Sequence, residues 1–214
     1  MNIGCSWSGG KDSCFALMET LGKDFQLRAL VNMMNENGLI SRSHGLPISI
    51  LQQQADAMNV SLITRATSWN KYQDNFIESL EIIANDYDVK AIVFGDIDLQ
   101  QHRDWEEMVC SKVGLSAILP LWKIDRKELV MKMLNEGIEC MIVSCNTTMG
   151  ERFTGRVMTL ELVAELEKMG IDVCGENGEF HTVVINCPLF QHAIRLPAYS
   201  TILHENYWFL QWQS

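Results

Sequence analysis

The chain has no apolar run approaching the roughly 18 residues that a membrane-crossing helix needs. Its N-terminus also lacks the basic segment and apolar stretch of a secretory leader. Both absences set the cytoplasm as the expected compartment. Cys-x-x-Cys pairs are missing too. The seven cysteines (Cys5, Cys14, Cys110, Cys140, Cys145, Cys174 and Cys187) are odd in number and scattered. That argues against a disulfide framework and for buried thiols that act as small hydrophobes. Positive charge is scarce: 17 Lys and Arg stand against 27 Asp and Glu, a formal net charge of -10. The cations are dispersed, which disfavours nucleic acid as a partner because no broad contact with a phosphate backbone is available. No internal repeat or low-complexity stretch appears.

What is present suits a globular protein. With 47% hydrophobic and 21% charged residues over 214 positions, the chain can bury about 70% of its unfolded surface as one large domain or a domain with an appendage. Up to Cys145, short apolar runs alternate with helical periodicities, the pattern of a parallel sheet with crossover helices. Strands are expected at 2–6, 27–33, 60–65, 90–94 and 139–144, and helices near 12–21, 48–58, 70–87, 101–113 and 126–136. The expected fold class is α/β, a doubly wound parallel sheet whose ligands gather at the carboxyl ends of the strands. Beyond Cys145 the chain turns polar, reads as a helix over 157–169, and ends in an apolar run (Val183 to Cys187) and an aromatic tail with Trp208 and Trp212. These form a small C-terminal α+β lobe, and the expected division is 1–146 and 147–214. The tail offers a surface for a homodimer, and capping of the core is the other reading.

Ser8-Gly9-Gly10-Lys11-Asp12-Ser13 lies between the first strand (Ile3, Cys5, Trp7) and a helix carrying Phe15, Leu17 and Leu21. Glycines at 9 and 10 can take positive φ and let a ligand approach the main chain. A strand-to-helix turn points N–H groups and the positive end of a helix dipole at one spot, which suits an anion. The loop is not of the Walker type, because no glycine stands at the required spacing before a Gly-Lys-Ser/Thr ending. It resembles the Ser-Gly-Gly-x-Asp-Ser loop of the PP-loop ATP pyrophosphatases, which cleave ATP between its α and β phosphates. That resemblance implies ATP and Mg2+, with Ser8, Gly9, Gly10, Lys11, Asp12 and Ser13 on the phosphates and the main chain of Asn32, Met33 and Met34 on adenine. Lys11 would meet the β and γ phosphates. Asp12 is either a ligand of Mg2+ or a helix cap.

Two further stretches stand at expected strand or turn ends. Gly95-Asp96-Ile97 leads to Gln101-His102-Arg103-Asp104-Trp105-Glu106, which would bring Asp96, His102, Arg103 and Glu106 toward the cleft. Cys174-Gly175-Glu176-Asn177-Gly178-Glu179-Phe180-His181-Thr182 places two acids three residues apart in a glycine-flanked turn. Taken alone, that turn reads as solvated acids. Taken with Pro120-Leu121-Trp122, Pro188-Leu189-Phe190 and His44-Gly45, these motifs resemble the diphthine-ammonia ligase family from the first strand to Phe190.

The resemblance implies an AMP-forming amide ligase. Such an enzyme adenylates a carboxylate, diphthine of elongation factor 2 or a related acid, and amidates it with ammonia. It also implies that Lys11, Glu176, Glu179 and His181 are catalytic, with Glu179 and His181 both open as the general base. Substrate contacts would come from His44, Gly95, Asp96, His102, Arg103, Glu106, Gly175, Asn177, Gly178 and Thr182. The chain departs from the family's Gly-Glu-Gly-Gly-Glu-Tyr-Glu-Thr at Asn177 and His181. That keeps open a branch acting on a small-molecule acid, for instance a corrinoid-related one. Two other readings share the loop: a tRNA-modifying ATP pyrophosphatase, and a nucleotide-sensing module without catalysis.

Overall fold

The computed structural model describes residues 1–22 and 24–213. Strands β1 (Asn2–Ser6), β2 (Gln26–Met34), β3 (Ser61–Ala66), β4 (Ala91–Val93) and β5 (Ser116–Ile118) form one parallel sheet in the order β3-β2-β1-β4-β5. Helices α1 (Lys11–Thr20), α2 (Ile48–Ala57), α3 (Tyr72–Asp86), α4 (Gln100–Lys112) and α5 (Arg126–Asn135) lie between and after these strands. The strands are apolar on both faces, as a sheet covered on both sides requires. Leu30 of β2 and Val93 of β4 enter the core shared with α1, α2 and α5, while Val31 and Ile92 enter the core shared with α3 and α4.

The strand order fixes the position of the cleft. From β1 the chain winds outward through β2 and β3, then returns to β4 on the other side of β1. The turns that follow β1 and β4 therefore diverge at a topological switch point, where ligands of such sheets bind. Ser8 to Ser13 and Gly95 to Asp98 are those two turns. They pack so closely that a Cβ on Gly95 would stand 2.7 Å from Asp12 C and Ser13 N. Only a residue without a side chain fits there.

The second sheet is antiparallel, in the order β7-β6-β9-β8, from β6 (Glu139–Asn146), β7 (Phe180–Asn186), β8 (Tyr199–His204) and β9 (Tyr207–Trp212). Helix α6 (Leu160–Lys168) precedes β7. β6 corrects the sequence reading, which placed 139–144 in the parallel sheet. It pairs with β7 and β9 and is packed in the core on both faces, so Cys140 to Val143 carry the unbroken apolar run that a parallel strand would also show. The sequence reading missed β5, since three residues in Ser116–Ile118 give no pattern. Among the described residues no helix is long and apolar enough to cross a membrane.

The two sheets share one core, which extends from Ile3 of β1 to Leu210 of β9. A polar joint ties them at the phosphate loop. Val184 N–H of β7 donates to Gly9 O at 2.9 Å, and Lys11 N–H donates to Thr182 Oγ1 at 3.1 Å. Gln54 of α2, wholly buried, accepts from Trp7 Nε1 at 2.8 Å and donates to Gly9 O at 3.0 Å and Val184 O at 2.8 Å. Gln54→Leu removes these three bonds while keeping most of the volume. Buried polar groups left without partners cost about 1–3 kcal/mol each, so stability should fall by about 3 kcal/mol or more. Urea unfolding measures this, and a loss below about 1 kcal/mol would show that the joint is not a structural tie.

Candidate functional site

The phosphate loop opens into a cavity of about 700 Å³ roofed by the turn before β7 and walled by α3 and α4. Gly9 takes φ +84°, as expected of a glycine here, but Gly10 is extended at φ -95° and serves as the N-terminal cap residue of α1. Gly10 N–H bonds Ser8 Oγ at 3.2 Å and Lys11 N–H bonds Thr182, so two of the loop's donors are satisfied within the protein. Ser8 Oγ and Ser13 Oγ lie 3.0 Å apart at the cavity surface. Lys11 Nζ reaches both oxygens of Asp12 at 2.9 Å and Cys174 O at 2.5 Å. Burial works against its charge, but Asp12, Cys174 and Glu176 outweigh burial and hold its pKa above the ordinary lysine value. The cation is locked on.

The opposite wall carries Asp96, His102 and Glu106. His102 Nδ1 donates to Asp96 Oδ1 at 2.6 Å. Glu106 is only 3% exposed, and its Oε2 has no partner among the described residues. Burial and then Asp96 raise its pKa to about 10, so it is a neutral acid at physiological pH. Burial also works against the charge of Asp96, but hydrogen bonds from His102 and Glu106 prevail and keep its pKa below the usual value. The same bond to Asp96 raises His102. Beside them Tyr72 and Trp105 meet at 5.8 Å, and Trp69 stacks on Tyr72 at 5.8 Å with 72% of its surface exposed.

The roof is held by a residue that the sequence reading missed. Arg126, at the start of α5, donates to both oxygens of Asp98 at 2.9 Å, to Asp172, and to Asn177 Oδ1 at 3.2 Å. Asp172 in turn accepts from Cys174 N at 3.0 Å and Glu176 N at 3.1 Å. Glu179 accepts from Asn177 N at 3.0 Å and Asn177 Nδ2 at 3.2 Å. Its carboxylate therefore braces the turn and is not part of the cavity lining, while Glu176 is. Burial, then Asp12, raises Glu176 to about 7. His44 and His181 flank the loop with ring centroids 4.7 Å apart.

Most of the expected residues converge here: Ser8, Lys11, Asp12, Ser13, His44, Gly95, Asp96, His102, Glu106, Gly175, Glu176, Gly178, His181 and Thr182 all line the cavity. Asn32 and Met33 line a smaller recess of about 80 Å³ at the end of β2, whereas Met34 is core, 1% exposed. Asn32 Nδ2 donates to Trp7 O at 2.6 Å, and its Oδ1 is buried without a partner among the described residues. Arg103 turns outward, bonding Glu107 and lying over Trp122. Asn177 faces Arg126 and Glu179 rather than the cavity. Trp69, Tyr72 and Phe94 went unread, and Trp105 was quoted only as part of the motif on α4, because apolar and aromatic residues signal core as readily as a pocket wall.

Comparison with known proteins bears on this geometry. A family model described as the diphthamide synthase N-terminal domain matches residues 1–117, and one described as the diphthamide synthase C-terminal domain matches residues 125–213. The diphthine–ammonia ligase of Danio rerio is 24% identical over 225 residues, covering 93% of this chain and 88% of its own length. That of Homo sapiens is 24% identical over 232 residues, 96% of this chain and 86% of its own. The Schizosaccharomyces pombe protein of the same name is 26% identical over 221 residues, 93% of this chain but 36% of its own.

The neutral state of Glu106 has a measurable consequence. Its folded pKa lies far above the unfolded value, so the stability tied to its proton is complete below about 4.5 and is lost as pH rises through about 10. Urea unfolding of the native protein should therefore show falling stability between pH ~8 and ~10. Glu106→Gln replaces the carboxyl O–H with an amide N–H donor that does not ionise, and should flatten that part of the profile. Equal slopes for the two proteins would mean that Glu106 is already ionised.

Proposed function

Because the chain belongs to the diphthamide synthase family, we propose that it is an ATP-dependent, AMP-forming ligase that adenylates a substrate carboxylate and amidates it with ammonia. We take the acceptor to be diphthine, following the names of the relatives, carried on elongation factor 2 as the motif resemblance implies. The observation that carries this reading is the position of Glu176, whose N–H is held by the Asp172 carboxylate and which lines the same cavity as the Lys11 loop. A cavity of about 700 Å³ is within the range of small-molecule sites and admits a nucleotide with part of an acceptor.

The residues suit ATP better than a protein-held metal. Gly9 supplies the left-handed turn, Ser8 and Ser13 supply hydroxyls, and Lys11 supplies a fixed cation for the β and γ phosphates. Among the described residues no group of three or more His, Cys, Asp or Glu is placed to hold a metal ion. Asp12 is the carboxylate at the loop, and Lys11 engages both its oxygens. Mg2+ would arrive on the phosphates and supply charge neutralisation there.

In the first step an acceptor oxygen attacks the α phosphorus, the bond to the bridging oxygen breaks, and pyrophosphate leaves. In this reading Lys11, only 3% exposed, lies beside the departing pyrophosphate, where a preorganised charge acts strongly. In the second step the ammonia nitrogen bonds the acyl carbon, AMP leaves with the C–O electron pair, and one proton must be removed from nitrogen. Glu176, raised to about 7, is matched to that transfer. Glu179 is committed to bracing the turn, and burial pushes His181 down to about 3, too weak a base for the same work.

Lys11→Ala should cut carboxylate-dependent exchange of labelled pyrophosphate into ATP by roughly 100-fold or more. Near-native exchange would remove the loop from the chemistry. Glu176→Gln should keep the exchange while slowing amide formation on diphthine-bearing elongation factor 2 by roughly 100-fold. The native amidation rate should rise with pH through about 7 as Glu176 loses its proton, and the variant's should not. Equal loss of both partial reactions in the variant would assign Glu176 to binding instead.

A further inference from the structure

His44 and His181 lie at the phosphate end of the cavity, yet neither imidazole is used by the steps above. His44 comes from the β2–α2 connection and His181 from β7, and their rings meet at 4.7 Å with a 42° tilt. His44 Nδ1 lies 2.8 Å from Thr182 O. A carbonyl only accepts, so Nδ1 carries the hydrogen and Nε2 of the neutral ring is a lone pair. The ring lies directly against the loop: a Cβ on Gly10 would come within 2.4 Å of His44 Cε1. Two imidazoles are thus packed on the backbone that a nucleotide's phosphates must approach.

In the ligand-free protein the balance is against a positive charge on either ring, although the Thr182 carbonyl favours one on His44. Burial lowers both, His44 to about 4 and His181 to about 3, and Lys11 lowers both further. From α1, Asp12 faces His181 and opposes Lys11 only in part. Across the cavity the Asp96–His102–Glu106 group is balanced internally by its own hydrogen bond and proton. Tyr72 of α3 remains phenolic, raised to about 12. Glu176 of the roof is raised to about 7, so it also exchanges a proton near neutrality when charge enters the cavity. A polyanion in the loop reverses the local field, and the groups it acts on first are those in contact with the loop.

We propose that His44 and His181 form a proton-gaining clamp for the nucleotide's phosphates. When the polyanion occupies the loop, the pair takes up one proton from solvent and presents the new N–H to a phosphate oxygen. This rests on the reading of the loop as an ATP site and adds a binding role that the loop alone lacks. It also explains why the site can tolerate two buried imidazoles beside Lys11. They stay neutral while the loop is free and become cationic only when several negative charges arrive, so the pair discriminates in favour of the triphosphate over a monoanion.

The test uses the full chain and the α,β-methylene analogue of ATP, which cannot be cleaved at the α–β position. Calorimetric titration at about pH 7 in two buffers of different ionisation enthalpy gives the protons exchanged on binding. The native protein should take up about one proton or more. His44→Gln and His181→Gln should each lose most of that uptake and bind roughly tenfold more weakly or worse. Glu176→Gln should retain the part that belongs to the pair. Nitrogen NMR of the native protein's imidazoles, which needs no variant to fold, should show a neutral ring becoming imidazolium on titration with the analogue. Binding with native proton uptake in both histidine variants, or imidazoles that stay neutral in the complex, would overturn the clamp while leaving the ATP site intact. No binding of the analogue at all would overturn both.

Discussion

The carbonyl of Gly9 accepts two hydrogen bonds, from Val184 N–H and from Gln54 Nε2, and through it the second sheet is fastened to the phosphate loop. The rest of the site depends on this joint. A buried carbonyl without partners costs about 1–3 kcal/mol, a large fraction of a domain's net stability. Gly9 presents that carbonyl to β7 and α2 from a left-handed turn, φ +84°. With β7 in place, its first residues are carried up to the loop. Thr182 caps Lys11 N–H and holds His44, and His181 points into the cavity beside it. The turn ahead of β7 then has nowhere to go but over the loop.

Gathering acids in a buried cavity of a chain with net charge -10 is electrostatically costly, and the structure shows how the cost is met. Asp12 is paired with Lys11, Asp96 accepts from His102, Glu106 keeps its proton, and Glu176 keeps its own up to about neutrality. Of the four carboxyls, no two adjacent ones need carry an uncompensated charge at once. Like charges at such range would otherwise repel by several kcal/mol in a medium of low effective dielectric. The result is polarised: a fixed cation at the loop end, and a proton acceptor of tunable charge at the roof.

Much of this was legible in the sequence because local rules and tertiary needs coincide at the loop. Ser8 to Ser13 and the turn after β4 announce themselves by composition, and their meeting follows from strand order alone. The reading failed where two structures share one pattern. Cys140 to Val143 are apolar on both faces whether the strand is parallel or central in an antiparallel sheet, so β6 was assigned to the wrong one. Arg126 was invisible for a different reason. It is one cation in a helix's first turn, and only the folded chain shows Asp98, Asp172 and Asn177 arriving around it. The aromatic wall of Trp69, Tyr72 and Trp105 was likewise indistinguishable from core.

The two acids of the late turn show why spacing could not assign their roles. Glu176 and Glu179 are three residues apart on either side of Gly178, and both are carboxylates in a polar turn. What separates them is backbone direction. Glu179 folds back to accept from Asn177, closing the turn on itself, and Asp172 holds Glu176 N–H from behind. Arg126 ties Asp172 to Asp98 of the turn after β4, and Tyr207 of β9 donates to Gly178 O at 2.7 Å. The turn is thus gripped by three elements that carry no reactive group. Glu176 alone points inward, toward Lys11 and Asp12, and the same burial that costs its charge brings its pKa to neutrality. One acid gives the turn its shape, and the other is held partly desolvated in the cavity lining.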